Sequence, residues 1–384
     1  MSMPTPDRST TSPPLPPTDA SSSDAPASMP TSCLASLLPG LLLVVIITAA
    51  ATVAGGRSPV VGAPVFAIIA GAVIAALRPR GGRLGPGITF CAGNVLKGSI
   101  VVLGLNLSLH QVVTTGMASL PVLVGTLVIA LGAAWLIGRF LRLGSDVNTL
   151  IGVGTAICGA SAIAATDAVI GAEETDVSYA IATIFTFNIA AVVAYPLLGH
   201  VMGLSQHAFG LWAGTAINDT SSVVAASTTY GGAAGAYGVI VKLTRTLAII
   251  PICVALAAWR CHRAARPTGG AVRQATTDVD PAPTAQLSTF VVLRARVRRI
   301  VPMFIIAFVA AVIVNTVGAV PAGWHHGLGD VASWMITAAL AGVGLSTRIR
   351  DIRAAGGRPL LLGGILWVTV GVTSLALQAA SGSL

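Results

Sequence analysis

Eleven apolar stretches dominate the 384-residue chain, and each is long enough to be interpreted as a bilayer crossing, which takes about 20 mainly apolar residues per helix. Only 9% of the residues are charged and 54% are hydrophobic, whereas soluble domains carry about a quarter charged residues. The pattern therefore predicts an all-α polytopic membrane protein. The predicted spans cover residues 36–54, 59–77, 86–107, 117–137, 147–166, 177–198, 207–230, 236–259, 300–318, 329–345 and 359–379.

Lys and Arg are distributed unevenly between the predicted loops. Seventeen of these side chains fall in the even-numbered loops and one, Arg57, falls in the odd-numbered loops. Because cytoplasmic loops carry the excess of Lys and Arg, this asymmetry predicts a cytoplasmic N-terminus and an external C-terminus. The net charge of +9 then reflects membrane topology, and we do not expect nucleic acid as a partner.

Polar segments divide the rest of the chain. Residues 1–33 are rich in Pro, Ser, Thr and Asp and are predicted to be a disordered cytoplasmic tail. Residues 34–384 are predicted to form a single transmembrane domain, within which residues 263–290 form a cytoplasmic linker loop. The five cysteines show no paired spacing, so the sequence predicts neither a disulfide framework nor a metal site, and no cofactor is expected.

An internal repeat is indicated when the chain is shifted by 238 residues. Spans two to four then align with spans nine to eleven without a gap, and Pro64 falls on Pro302 and Gly104 on Gly342. The two copies lie seven spans apart, so they would cross the membrane in opposite directions. Inverted-topology repeats of this kind are typical of secondary transporters.

A second similarity links span five to span seven. The segment GTAICGASAIAA at 154–165 matches GTAINDTSSVVA at 214–225. In both, the GTAI sequence is followed by small or helix-capping residues, which favour helix N-termini over helix interiors. We therefore predict discontinuous helices at mid-membrane, where the start of each second half-helix would attract anions; the alternative is close helix packing. The residues concerned are Cys158, Gly159 and Ser161 in span five and Asn218, Asp219, Thr220, Ser221 and Ser222 in span seven.

Four charged side chains fall well inside the predicted spans, away from the span ends: Lys97, Asp219, Lys242 and Arg245. Lys242 and Arg245 are three residues apart and therefore share one helical face. Three cations and one carboxylate leave a surplus of two positive charges, whose burial would be costly without a partner. A bound anion is the predicted partner, with these residues in its site. The alternative is a structural salt bridge from Asp219, or a coupling proton or cation at Asp219.

Four segments resemble a known family. GTAICGASAIAA, ATIFTFNIAAV, GLWAGTAINDTSSVVAA and VIVKLTRTLAIIP, in this order, resemble the YeiH-type sulfate exporter family of bacterial inner-membrane proteins, and the resemblance covers roughly residues 34–379. The segment LKGSIVVLGLNLSL at 96–109 fits the family pattern more loosely, with Lys97 near its basic residue. The family often has His where this chain has Asn218, so the resemblance does not support a histidine proton carrier here.

The resemblance implies a multi-pass transporter of sulfate or a sulfonate in the bacterial cell membrane. A transporter of small carboxylates, an anion channel and a non-transporting membrane sensor remain alternatives. No GxSxG, HExxH or phosphate-binding loop occurs in the sequence, so we do not expect an enzyme, and transport would be secondary or passive. The expected partners are a small anion, a coupling proton or cation, the lipid bilayer and, as an open alternative, a second copy of the chain.

Overall fold

The computed structural model describes residues 31–57, 62–77, 83–264, 303–347 and 356–384. Every regular element in these ranges is helical, which confirms the all-α membrane class. A π-helical turn at Cys91–Val95 joins the helix Gly85–Phe90 to the helix Leu96–Gly104. The helices are α1 Thr31–Arg57, α2 Ala63–Leu77, α3 Gly85–Phe90, α4 Leu96–Gly104, α5 Leu109–Phe140, α6 Ser145–Ala156, α7 Ala160–Ile170, α8 Glu174–Val201, α9 Gln206–Ala216, α10 Thr220–Tyr230, α11 Gly232–Thr246, α12 Ile249–Ala264, α13 Met303–Thr316, α14 His325–Ser346 and α15 Gly357–Ser381.

Seven helical segments in the described part of the chain are long and apolar enough to cross a membrane. Predicted spans two and nine correspond to the shorter helices α2 and α13, and spans five and seven are each divided into two half-helices. The total of eleven spans therefore stays a prediction. The seven segments are Ser36–Arg57, Gly85–Gly104, Leu109–Phe140, Glu174–Val201, Gly232–Trp259, His325–Ser346 and Gly357–Ser381.

The predicted polar segments lie mostly outside the described residues. The tail predicted at 1–33 reaches into α1, which begins at Thr31, and residues 1–30 are not described. The linker predicted at 263–290 begins within the last two residues of α12, and its remainder is not described. Predicted span eight is interrupted after Thr246, where the amides of Leu247 and Ala248 form tighter turn bonds to the carbonyls of Thr244 and Arg245.

The helices pack as two groups. One contains α1 to α4 with α13 and α14, and the other contains α5 to α12 with α15. The main contacts between the groups are those of α10 with α2 and α14, and of α13 with α5. Gly71 lets α2 approach α14 closely, since a methyl group there would lie 2.6 Å from the Ala341 carbonyl oxygen. Small residues serve this purpose widely in membrane helices.

The packing within the first group is reciprocal. Helix α2 packs against α14, and α13 packs against α4. In the predicted repeat, span two (α2) corresponds to span nine (α13), and span three (α4) corresponds to span ten (α14). The contact of α2 with α14 then corresponds to the contact of α13 with α4. The inverted repeat itself stays a prediction, but the pairing is the one that such a repeat requires.

Glycines bring α9 and α11 together in the second group. A methyl group at Gly210 would lie 2.9 Å from the Ala234 carbonyl oxygen, and one at Gly214 would lie 2.8 Å from Val241 Cβ. The absence of side chains at these two positions allows the two helices to approach backbone to backbone. Lys242, the residue after Val241, is thereby positioned beside the end of α9.

Candidate functional site

Spans five and seven are both broken near their midpoints. Helices α6 and α7 have 12 and 11 residues and are separated at Ile157–Gly159. Helices α9 and α10 have 11 residues each and are separated at Ile217–Asp219. Gly159 has φ +70° and ψ −130°, a region that is strained for residues with a side chain. The predicted discontinuous helices are therefore confirmed.

Asp219 caps the start of α10. Its backbone is extended, with φ −91° and ψ 144°, and its Oδ2 accepts a hydrogen bond from the Ser221 amide at 2.9 Å. This is the N-cap geometry that Asp favours. Although Lys242 and Arg245 are both described, neither forms an ion pair with Asp219. The carboxylate stabilises its own helix, and the salt bridge that the sequence left open as an alternative is not formed in this structure.

The start of α7 has no side-chain cap. The Gly159 carbonyl accepts from the amides of Ala162 and Ile163. Within the described residues, the amides of Ala160 and Ser161 have no hydrogen-bond partner in the protein, and Ser161 is exposed. The first amides of a helix carry the positive end of its dipole, so this half-helix presents free donors at the break.

The two breaks adjoin each other. A methyl group placed on Gly159 would lie 3.5 Å from Cβ of Asp219 and 3.3 Å from Cγ2 of Ile184. The start of α7 therefore lies against the start of α10, with α8 packed beside both. Cys158 is buried here, Thr220 and Ser221 are half-buried, and Ser222 is buried.

Lys242 joins the two breaks from α11. Its side chain is fully buried, and its Nζ donates to the carbonyl oxygens of Ile157 at 2.8 Å and Ile217 at 2.7 Å. One of these residues follows the last turn of α6 and the other follows the last turn of α9. A single ammonium group thus satisfies carbonyls at both half-helix ends.

Arg245 completes the same arrangement one turn further along α11. Its fully buried guanidinium donates through Nε to the Ala156 carbonyl at 2.7 Å and through Nη2 to the Thr155 carbonyl at 3.3 Å, while Nη1 donates to the Thr215 carbonyl. The last carbonyls of a helix carry its negative end and need donors. Lys242 and Arg245 together stabilise the carbonyl ends of α6 and α9.

These contacts change the role expected for the two cations. The sequence predicts Lys242 and Arg245 as direct ligands of an anion, but five of their hydrogen bonds go to backbone carbonyls. Direct contact with a substrate stays a prediction. What the structure shows is that the two cations hold the broken helices in place.

Lys97 does not join this cluster. It is exposed on α4, a helix that packs mainly against α13 and α14. The charged side chains at the breaks are therefore Lys242, Arg245 and Asp219. Their surplus is one positive charge (two cations and one carboxylate), compared with the surplus of two that the sequence predicts when Lys97 is included.

Asn188 is a site residue that the sequence reasoning did not select. It lies on α8 with 2% of its surface exposed, and its Oδ1 accepts from the Asp219 amide at 3.3 Å. Its Nδ2 is buried and has no hydrogen-bond partner in the described structure, and the same holds for Oδ1 of Asn218. The available signal was a single amide side chain in the middle of the apolar segment ATIFTFNIAAV.

Buried polar contacts from α15 fix the position of α9. The Trp212 indole donates to the Gly371 carbonyl at 3.0 Å, and the hydroxyls of Thr215 and Ser374 are 2.6 Å apart. Thr215 also supplies a carbonyl to Arg245. The end of α9 is therefore held from two sides, by α11 and by α15.

The fold and the site together define the class of this chain. It is an all-helical membrane protein in which two adjoining discontinuous helices are held by buried cations. Comparison with known proteins defines its family: the chain belongs to the family described as Conserved hypothetical protein 698, whose model matches residues 39–363. This confirms the family resemblance found in the four sequence motifs.

Relatives from three streptococci are similar over nearly their whole length, and each is described as a UPF0324 membrane protein. The one from Streptococcus pyogenes serotype M3 is 37% identical over 349 residues, which cover 90% of this chain and 97% of the relative. The one from Streptococcus agalactiae serotype V is 35% identical, covering 90% and 98%. The one from Streptococcus pneumoniae serotype 4 is 36% identical, covering 89% and 97%.

Proposed function

We propose that this membrane protein is a secondary transporter of a small anion and that the anion binds where the two helix breaks meet. The observation that carries the proposal is the pairing of the helix ends. The carbonyl ends of α6 and α9 are occupied by Lys242 and Arg245, whereas the amide end of α7 is left free beside Ser161. The two negative carbonyl ends are therefore neutralised, whereas the positive amide end of α7 has no partner among the described residues.

The free amide end of α7 is suited to binding an oxyanion. Backbone amides at a helix N-terminus are fixed donors that point in one direction, and the helix dipole adds to their attraction for negative charge. The hydroxyl of Ser161 and the half-buried hydroxyls of Thr220 and Ser221 supply further donors at the two adjoining starts. The surplus of one positive charge among Lys242, Arg245 and Asp219 favours the same kind of ligand.

The break geometry also favours transport over a purely structural role. Irregular backbone at membrane depth is tolerated only where protein buries it or where it lines a water-filled cavity. Here the exposed Ser161 and the half-buried Thr220 and Ser221 lie at the two half-helix starts. The two helix groups meet mainly through α10, the helix that begins at the break in span seven.

The class of substrate follows from the donors and from the family resemblance. Directed amides and hydroxyls suit sulfate, sulfonates and other oxyanions, and also small carboxylates. We propose a sulfur oxyanion or sulfonate as substrate, in a protein of the bacterial cell membrane with its N-terminus in the cytoplasm. Transport then proceeds without a chemical reaction of the substrate.

The test is uptake into liposomes that contain the purified protein. Labelled sulfate, methanesulfonate and acetate are offered in turn, with unlabelled anion inside the liposomes. We expect uptake to exceed that of protein-free liposomes and to rise when the same anion is loaded inside, as a carrier requires. Uptake equal to protein-free liposomes for all these anions would contradict the proposal, and uptake without stimulation would indicate a channel.

A further inference from the structure

The charge at the breaks limits the charge of the ligand. The charged side chains at the two breaks are Lys242 and Arg245, which donate to the break carbonyls, and Asp219, which caps α10. Two cations and one carboxylate give +1, and the opposed helix ends cancel because each break contributes one carbonyl end and one amide end. A ligand with one negative charge leaves the site neutral. A ligand with two negative charges leaves a buried charge of −1, which is costly without a further partner.

Asn188 supplies a donor for such a ligand. Its Oδ1 is fixed toward the Asp219 amide, since that amide can only donate to an oxygen. This bond orients the carboxamide, so the NH₂ group cannot exchange places with the oxygen. Nδ2 is then left buried beside the break without a partner in the protein. Buried donors are nearly always satisfied, and a ligand oxygen at the break would satisfy this one.

We propose that the break site binds a singly charged oxyanion and that the Asn188 carboxamide is one of its ligands. The inference rests on the proposed transport function and narrows it. Sulfonates and other monovalent oxyanions are then the substrates, and divalent sulfate is discriminated against. The cause of the discrimination is Asp219, whose carboxylate reduces the surplus of the two cations to one.

The experiment compares methanesulfonate with sulfate in the liposome assay at neutral pH, where the first carries one charge and the second carries two. We expect wild-type uptake of methanesulfonate to exceed that of sulfate by about tenfold or more. Asp219→Asn keeps an N-cap residue and raises the surplus to +2, so it should shift the uptake ratio toward sulfate by about tenfold. Asn188→Ala should weaken the apparent affinity for methanesulfonate by about tenfold.

Asn315→Ala is the matched control for Asn188→Ala. Asn315 lies on α13, and its Nδ2 donates to the Leu107 carbonyl at 3.1 Å, so its loss should leave the ratio and the affinity unchanged. Wild-type preference for sulfate, or an unchanged ratio in Asp219→Asn, would overturn the inference while transport itself stands. If the wild-type protein takes up neither methanesulfonate nor sulfate, both the inference and the proposed function are overturned.

Discussion

Nζ of Lys242 lies 2.7 Å from the carbonyl oxygen of Ile217, the residue that follows the last residue of α9. A buried lysine in a membrane protein is usually expected to face a carboxylate or a ligand. Here the ammonium group faces the carbonyl end of a half-helix. The cation is therefore part of the scaffold that keeps span seven broken, and its removal should affect the fold before any anion is added.

Replacing Lys242 with methionine should destabilise the protein. Two buried carbonyls, those of Ile157 and Ile217, lose their donor, and each unsatisfied buried group costs about 1–3 kcal/mol. Thermal unfolding of the purified protein in detergent, without added anion, measures the effect. Lys97→Met serves as the control because Lys97 is exposed. Equal melting temperatures for the two variants would contradict a scaffold role.

Replacing Arg245 with lysine should also lower stability although the charge is kept. The guanidinium reaches three carbonyls, those of Thr155, Ala156 and Thr215, and a single ammonium group lacks this planar fork. At least one carbonyl is then left without a donor, at a cost of about 1–3 kcal/mol. The same unfolding assay checks the result, and a variant as stable as the wild type would show that the forked geometry is not needed.

Gly159→Ala should disturb the break in span five. The residue has φ +70° and ψ −130°, and a methyl group would lie 3.3 Å from Ile184 Cγ2, so strain of about 1–3 kcal/mol is expected. Gly132→Ala is the matched control, because Gly132 lies within α5 with open space around it, where alanine favours the helix by about 1 kcal/mol. Opposite shifts in melting temperature are expected, and a stabilised Gly159→Ala would be inconsistent with the observed backbone.

Lys97→Gln should leave anion uptake unchanged. Lys97 is exposed on α4, in the group of helices that does not contain the two breaks. The sequence, in contrast, includes this residue in the predicted anion site. Uptake kinetics in liposomes distinguish a Lys97 outside the anion site from one inside it. An increase in KM for the variant would indicate that Lys97 belongs to the site.

A reporter fused after Leu384 should give an external signal. The alternation of Lys and Arg between loops predicts that the N-terminus is cytoplasmic and that an odd number of spans follows. Paired reporters that are active on opposite sides of the membrane measure this directly. A cytoplasmic signal would mean that one of the short or broken segments does not cross the membrane.

The broken helices were predictable from sequence because helix capping is local. Asp219 and Ser221 lie where an N-cap and its bonded amide must lie, and Gly159 marks the other break. The partners of Lys242 and Arg245 were not predictable. Every residue carries a carbonyl group, so a backbone acceptor leaves no signature in the residue types.

The positions of Lys97 and Asn188 show a second limit. Both lie within predicted spans, and the sequence treats an ionisable residue inside a span as facing the protein interior. Which face of a helix is covered depends on the helices that pack against it, and in the folded chain Lys97 is exposed whereas Asn188 is 2% exposed. Asn188 is uncharged, so a search for charged residues within the spans does not select it, although it contacts the break directly.

The most direct test of the anion site is protection of the break from a thiol reagent. Ser161→Cys is prepared in a chain whose five native cysteines are replaced by alanine, and Ser145→Cys, exposed at the start of α6, is the control. The rate of alkylation is measured with and without methanesulfonate in excess. We expect the anion to slow alkylation at position 161 and to leave position 145 unchanged. Equal rates at position 161 with and without the anion would contradict the assignment of the site to the two breaks.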